Sequence, residues 1–167
     1  MNQNTKKLAL SGIFIAIAVV FSAFSIPVGV AKVFPVQHLI NIVGGVLLGP
    51  FYALAIAFGT SLIRILIGTG SLLAFPGSIF GAFLSGYLYK YHRRLLTAFL
   101  GEVLGTGIIG AVCSYPIALF IMGNKEAALF GFVIPFISSS LAGAVIGMVL
   151  LKTILWKGQI KLDSGTF

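Results

Sequence analysis

Few residues in this chain can do chemistry, and their spacing excludes most of it. The only carboxylates are Glu102, Glu126 and Asp163. Glu126 falls in a short polar loop and Asp163 in the tail, so paired-carboxylate acid–base catalysis has no material. There is no G-x-x-x-x-G-K-[ST] loop to cradle a nucleotide phosphate, no G-x-S-x-G elbow and no H-E-x-x-H pair. The single cysteine, Cys113, lies in an apolar run, which excludes an internal disulfide or a cysteine-based metal site. No enzyme activity, cofactor or metal is expected of the chain itself.

Two charges sit inside apolar runs. On a helix Arg64 shares a face with Ala57, Thr60, Ser61 and Gly68, at spacings of three, four and seven. That face is small and polar and turns Arg64 inward as a site residue, because an intramembrane charge is expensive and usually functional. The other reading is an arginine snorkelling to a nearby interface. Glu102 shares a face with Thr106, Ile109, Cys113 and Pro116. At about 1.5 Å per residue, its linear depth sets it far from Arg64. It reads as a structural carboxylate bonded to a neighbouring helix or to Arg93 or Arg94, with a role at the ligand, together with Thr106, or at a partner left open.

Three further groups converge with Arg64 on one end of the chain's hairpins. Phe34, Gln37, His38 and Asn41 surround the start of the second apolar segment. Thr69, Ser71, Phe75 and Ser78 fill the glycine-rich stretch IGTGSLLAFPGSIFG. Tyr115 stands beside Pro116, and Phe132, Ser138 and Ser139 follow in the last segment. His38 alone reads equally as a capped loop histidine. Irregular backbone at membrane depth is tolerated only where it is buried in protein or lines a cavity. Hydroxyls, amides and aromatic faces with few formal charges suit a small, mostly neutral aromatic solute.

The elements that must position these groups are membrane helices. The 167 residues are 59% hydrophobic and 8% charged, against about 25% charged in soluble domains. The pattern predicts an all-α integral membrane protein with one transmembrane domain over residues 1–167. Its six helices fall at roughly 8–26, 36–49, 51–67, 76–91, 97–122 (interrupted by Pro116) and 129–156. The N-terminal run is longer than a signal-peptide core and reads as an uncleaved first helix. With the N-terminus inside, Lys6, Lys7, Lys90, Arg93, Arg94, Lys152, Lys157 and Lys161 are cytoplasmic, against Lys32 and Lys125 outside. Eight against two is a positive-inside signal that puts both termini in the cytoplasm. It also accounts for the net charge of +8 without nucleic acid. Tyr87, Tyr89, Tyr91 and Trp156 suit an interfacial aromatic belt. Small-residue stripes run along the first helix (Ala9, Gly12, Ala16, Ala23), the fourth (Gly77, Gly81, Ser85), the fifth (Gly101, Gly105) and the sixth (Ser139, Gly143, Gly147). The last three read as internal packing, and the first either as packing or as a face for another membrane protein.

KVFPVQHLINIVGGVLLGPFYAL (residues 32–54), IRILIGTGSLLAFPGSIFGA (63–82) and LGEVLGTGIIGA (100–111) resemble the ThiW group. ThiW belongs with the substrate-binding S components of energy-coupling-factor (ECF) vitamin transporters, and the resemblance runs from about residue 8 to 157. It implies a six-helix S-component bundle in a prokaryotic plasma membrane that captures hydroxyethylthiazole, the thiazole precursor of thiamin, at the outer face. It further implies delivery by toppling in complex with an EcfT subunit and two EcfA-type ATPases, the partners that use ATP. Ala9, Gly12 and Ala16 then contact EcfT, although Ala-x-x-Gly-x-x-x-Ala is not the regular A-x-x-x-A register. On this basis Arg64, Asn41 or a serine would bond the ring nitrogen and hydroxyl, and Phe34 or Phe75 would cover the ring. Other solutes, such as hydroxymethylpyrimidine or thiamin, and a stand-alone secondary transporter are the alternatives.

Overall fold

A computed structural model describes residues 2–28 and 31–156; Lys157, Lys161 and Asp163 lie outside them. Among the described residues the regular secondary structure is helical except for one short ribbon. Helix α1 (Gln3–Val20) ends in a 3-10 turn, Phe21–Ala23. Strands β1 (Ile26–Val28) and β2 (Ala31–Val33) then pair antiparallel, with Ile26 opposite Val33. Helices α2 (Pro35–Leu48), α3 (Pro50–Leu66) and α4 (Pro76–His92) follow. Next comes a long rod made of α5 (Leu95–Leu104), a π-helical stretch (Gly105–Gly110), α6 (Ala111–Pro116) and a second π-helical stretch (Ile117–Ile121). Helix α7 (Val133–Trp156) completes the bundle.

The ribbon corrects the expected first segment, which does not run helically to residue 26. The sixth starts at Val133 rather than 129. Pro116 does not interrupt the fifth. A proline inside a helix removes one N–H and crowds the carbonyl four residues back. Here the chain stays helical at Pro116 (φ −62°, ψ −32°) and widens into π turns on either side of α6.

Four helical stretches are long and apolar enough to cross a membrane: 3–23, 72–92, 95–121 and 133–156. The other two apolar helices, α2 and α3, are shorter. The 14 residues of α2 span only about 21 Å, less than the roughly 30 Å hydrocarbon core. Helix α2 is short because it is central. It packs against α7, α4, α3 and α5, and nearly every residue from Gln37 to Leu48 is buried, as expected of a helix apolar on all sides. Its end joins α3 through Gly49, whose φ of 96° favours glycine, and Pro50 sits at the first turn of α3.

The glycine stripes of α4, α5 and α7 are helix contacts. A Cβ on Gly101 would lie 2.6 Å from the Leu84 carbonyl oxygen, and one on Gly105 2.7 Å from that of Phe80. Gly143 and Gly147 press on α2 in the same way. Helix α1 is the exception. It packs on α3 and α2 through Phe14, Ile15 and Ala18, while Ala9, Gly12, Ala16 and Ala23 are exposed. A Cβ on Gly12 would meet nothing within 4 Å.

Candidate functional site

The site is assembled from helix ends. Helix α3 closes in a Schellman turn: Gly68 takes φ 77°, its N–H bonds the Ile65 carbonyl, and the Thr69 N–H bonds the Arg64 carbonyl at 2.9 Å. That turn folds Thr69 back over Arg64. The Thr69 hydroxyl lies 3.0 Å from that of Ser22, which ties the end of α1 to this loop. Ser61 and Ser78 both donate to the Ala74 carbonyl, at 3.0 and 2.8 Å, and pin the rest of the loop between α3 and α4. Across the bundle, the Phe34 N–H donates to Ser139 Oγ at 2.8 Å and fixes the start of α2 against α7.

These ends enclose a cavity of about 440 Å³, within the roughly 300–1,000 Å³ usual for small-molecule sites. Phe34, Gln37, His38, Arg64, Thr69, Ser71 and Ser139 line it, as does Phe132. Asn41 and Ser78 lie buried behind the wall, Ser78 bonded to the lining residue Ala74 and Asn41 to Ser78 and Glu102. Phe75 is turned onto Phe58, with ring centroids 5.2 Å apart, and is not a lining residue. Tyr115 is also absent from the lining, as is Ser138, which is half-buried and bonds back to the Ile134 carbonyl. Their place is taken by Ala118, Met122 and Asn124 at the end of the long rod, and by Phe136. Phe136 is one helical turn beyond Phe132, a spacing that could have flagged it. The aliphatic members carry no sequence signal.

Arg64 is 1% exposed, which decides against snorkelling. Its guanidinium donates to Gln37 Oε1 and, at 3.3 Å, to the Thr69 carbonyl. It also lies 3.7 Å from the centroid of the Phe34 ring, a cation–π contact. All of these partners are neutral. Gln37 and His38 stand in the first turn of α2 rather than in a loop before it.

Glu102 is fully buried and does not bond Arg93 or Arg94 as its sequence position suggested. Its Oε1 lies 2.8 Å from His38 Nδ1 and accepts from Asn41 Nδ2 at 3.0 Å and Thr106 Oγ1 at 3.2 Å. Asn41 donates in turn to the Ser78 carbonyl, the Ser78 and Ser61 hydroxyls lie 3.1 Å apart, and Gln37 donates to Ser61. Arg64 and Glu102 therefore form no direct ion pair but close one buried network through α2. The arrangement offers hydrogen bonds and an aromatic face, and no cluster of three His, Cys, Asp or Glu that could hold a metal ion occurs among the described residues.

Long apolar helices around a cavity that combines aromatic and apolar walls with a few polar groups define a multi-pass membrane protein. Residues 8–157 match the family model of the thiamine-precursor transporter protein (ThiW), and the chain belongs to that family. Membership indicates transport of a thiamine precursor across the membrane. No curated protein matches the chain.

Proposed function

We propose that this chain is the capture subunit of an ECF-type importer and that its substrate is hydroxyethylthiazole. The observation that carries this reading is Arg64, buried on the cavity wall, held by neutral acceptors and lying on the Phe34 ring. A thiazole alcohol presents a ring nitrogen to a guanidinium donor and an aromatic face to Phe34, Phe132 or Phe136. The solute enters from outside, where the cavity end of the bundle faces. An EcfT subunit and two EcfA-type ATPases then drive release inside as the capture subunit topples. ATP is bound by those partners, and the chain itself uses no cofactor. The exposed Ala9, Gly12 and Ala16 face of α1 supports docking to EcfT, since close helix approach needs small residues with nothing already packed on them.

A thermal-shift panel on the purified chain tests the substrate, because a ligand that binds only the folded state raises its stability. Hydroxyethylthiazole is expected to stabilise it. Stabilisation by hydroxymethylpyrimidine or thiamin alone assigns a different precursor. Uptake into proteoliposomes that contain only this chain would overturn the importer assignment in favour of a secondary transporter.

A further inference from the structure

We infer that His38 Nε2 is the acceptor that reads a hydroxyl on the ligand, and that Glu102 is its positioning residue. This rests on the reading of the cavity as a thiamine-precursor site and adds the feature of the precursor that it selects.

The geometry leaves one role for each ring nitrogen. His38 lines the cavity, and its Nδ1 faces Glu102 Oε1 at 2.8 Å. An ionised carboxylate only accepts hydrogen bonds, so Nδ1 carries the proton. Two more donors, from Asn41 and Thr106, hold the same oxygen in place. Nδ1 is taken by Glu102 and Nε2 has no hydrogen-bond partner among the described residues, so Nε2 is the ring nitrogen left for the cavity that His38 lines. In the singly protonated ring it is a bare lone pair.

With the ring singly protonated, the buried network holds one positive group, Arg64, and one negative group, Glu102, and carries no net charge. A balanced network calls for a neutral ligand. The cavity then offers a donor at Arg64 and an acceptor at His38 to a ring that carries both an acceptor nitrogen and a hydroxyl donor. A phosphate ester at the hydroxyl would lose that donor and set its charge against the Nε2 lone pair.

Two measurements on the full-length chain in nanodiscs test this. The first is ¹⁵N NMR of histidine-labelled protein, with His92→Gln assigning the second of the two histidines. His38 is expected to show a protonated Nδ1 and a bare Nε2, and a proton on Nε2 overturns the proposal without any change at the site. The second is calorimetric affinity for paired ligands: hydroxyethylthiazole against the same ring with an ethyl group, and hydroxymethylpyrimidine against its methyl analogue. In the wild type the alcohol of the bound pair should win by about 10- to 100-fold, the cost of an unmet buried hydrogen bond. His38→Asn keeps a donor for Glu102 but removes Nε2, and should reduce the ratio below about 3-fold while ring binding survives. Glu102→Gln, which frees the tautomer, should reduce the ratio as well. A wild-type ratio retained in His38→Asn overturns the role of His38 and leaves the transport reading intact. Preference for the pyrimidine pair overturns the thiazole assignment, and the ratio within that pair then judges His38.

Discussion

At the scale of single residues, Arg64 is where charge, shape and burial meet. Its planar fork serves Gln37, the Thr69 carbonyl and the Phe34 face at once, a set of contacts that a lysine ammonium cannot reproduce. Arg64→Lys should therefore keep the charge and still weaken thiazole binding by about 10-fold or more, measured by calorimetry, against the roughly 1.4 kcal/mol that one such bond represents. Unchanged affinity in Arg64→Lys would remove Arg64 from the site. The inward face of Arg64 was legible from Thr60 and Ser61 one turn below it. The partners of Glu102 were not. Counting depth along the chain treats all helices as equal spans, whereas α2 is short, sits in the middle of the bundle and sets His38 and Asn41 beside Glu102. Phe75 read as a site residue because it ends the glycine-rich loop and Tyr115 because it stands beside Pro116, but the turn of a side chain depends on neighbours, such as Phe58 for Phe75, that no spacing reveals.

At the scale of elements, one sequence pattern has two meanings. Small residues every third or fourth position mark α1 and α5 alike, and only what lies opposite separates them. On α5, Gly101 faces the backbone of Leu84 and Ser85, which cannot move aside. Gly101→Ala should destabilise the bundle by about 1–3 kcal/mol, the usual cost of overpacking, seen as a lower unfolding temperature in detergent. On α1, Gly12→Ala should leave that temperature unchanged, since its Cβ enters open space. Equal effects at the two positions would contradict the packing described here. The helix start at Pro76 was readable because proline suits a first turn, and α2 and α3 each begin one residue before the expected start, at Pro35 and Pro50. The β1–β2 ribbon was not readable, because an apolar run before a proline carries the same hydropathy whether it is helical or extended. Nor was the π-helical stretch Gly105–Gly110, where Gly107 and Gly110 are pressed against Ile137 and Pro76, contacts that no spacing reveals.

At the scale of the whole molecule, the two ends of the bundle differ in charge. Ser22 at the end of α1 meets Thr69 at the cavity end, and Lys7 at its start lies over the ring of Tyr52 near the start of α3. The described basic residues Lys6, Lys7, Lys90, Arg93, Arg94 and Lys152 therefore gather at the end away from the cavity, and Lys125 stands at the cavity end with Arg64 buried below it. Positive charge is retained on the cytoplasmic side during insertion, so the cavity should open outward. A Cys113→Ser background removes the only thiol and makes this measurable. In intact cells a membrane-impermeant maleimide should label Lys125→Cys. Arg94→Cys, in the exposed turn between α4 and α5, should be labelled only after the membrane is opened. Docking has the same logic at the same scale. Gly12→Leu should leave the isolated chain folded and able to bind its ligand while abolishing co-purification with an EcfT–ATPase module. If the labelling pattern is inverted, the cavity faces the cytoplasm and cannot capture an external solute. If Gly12→Leu co-purifies as well as the wild type, the exposed face of α1 is a lipid surface and energy must enter through another helix.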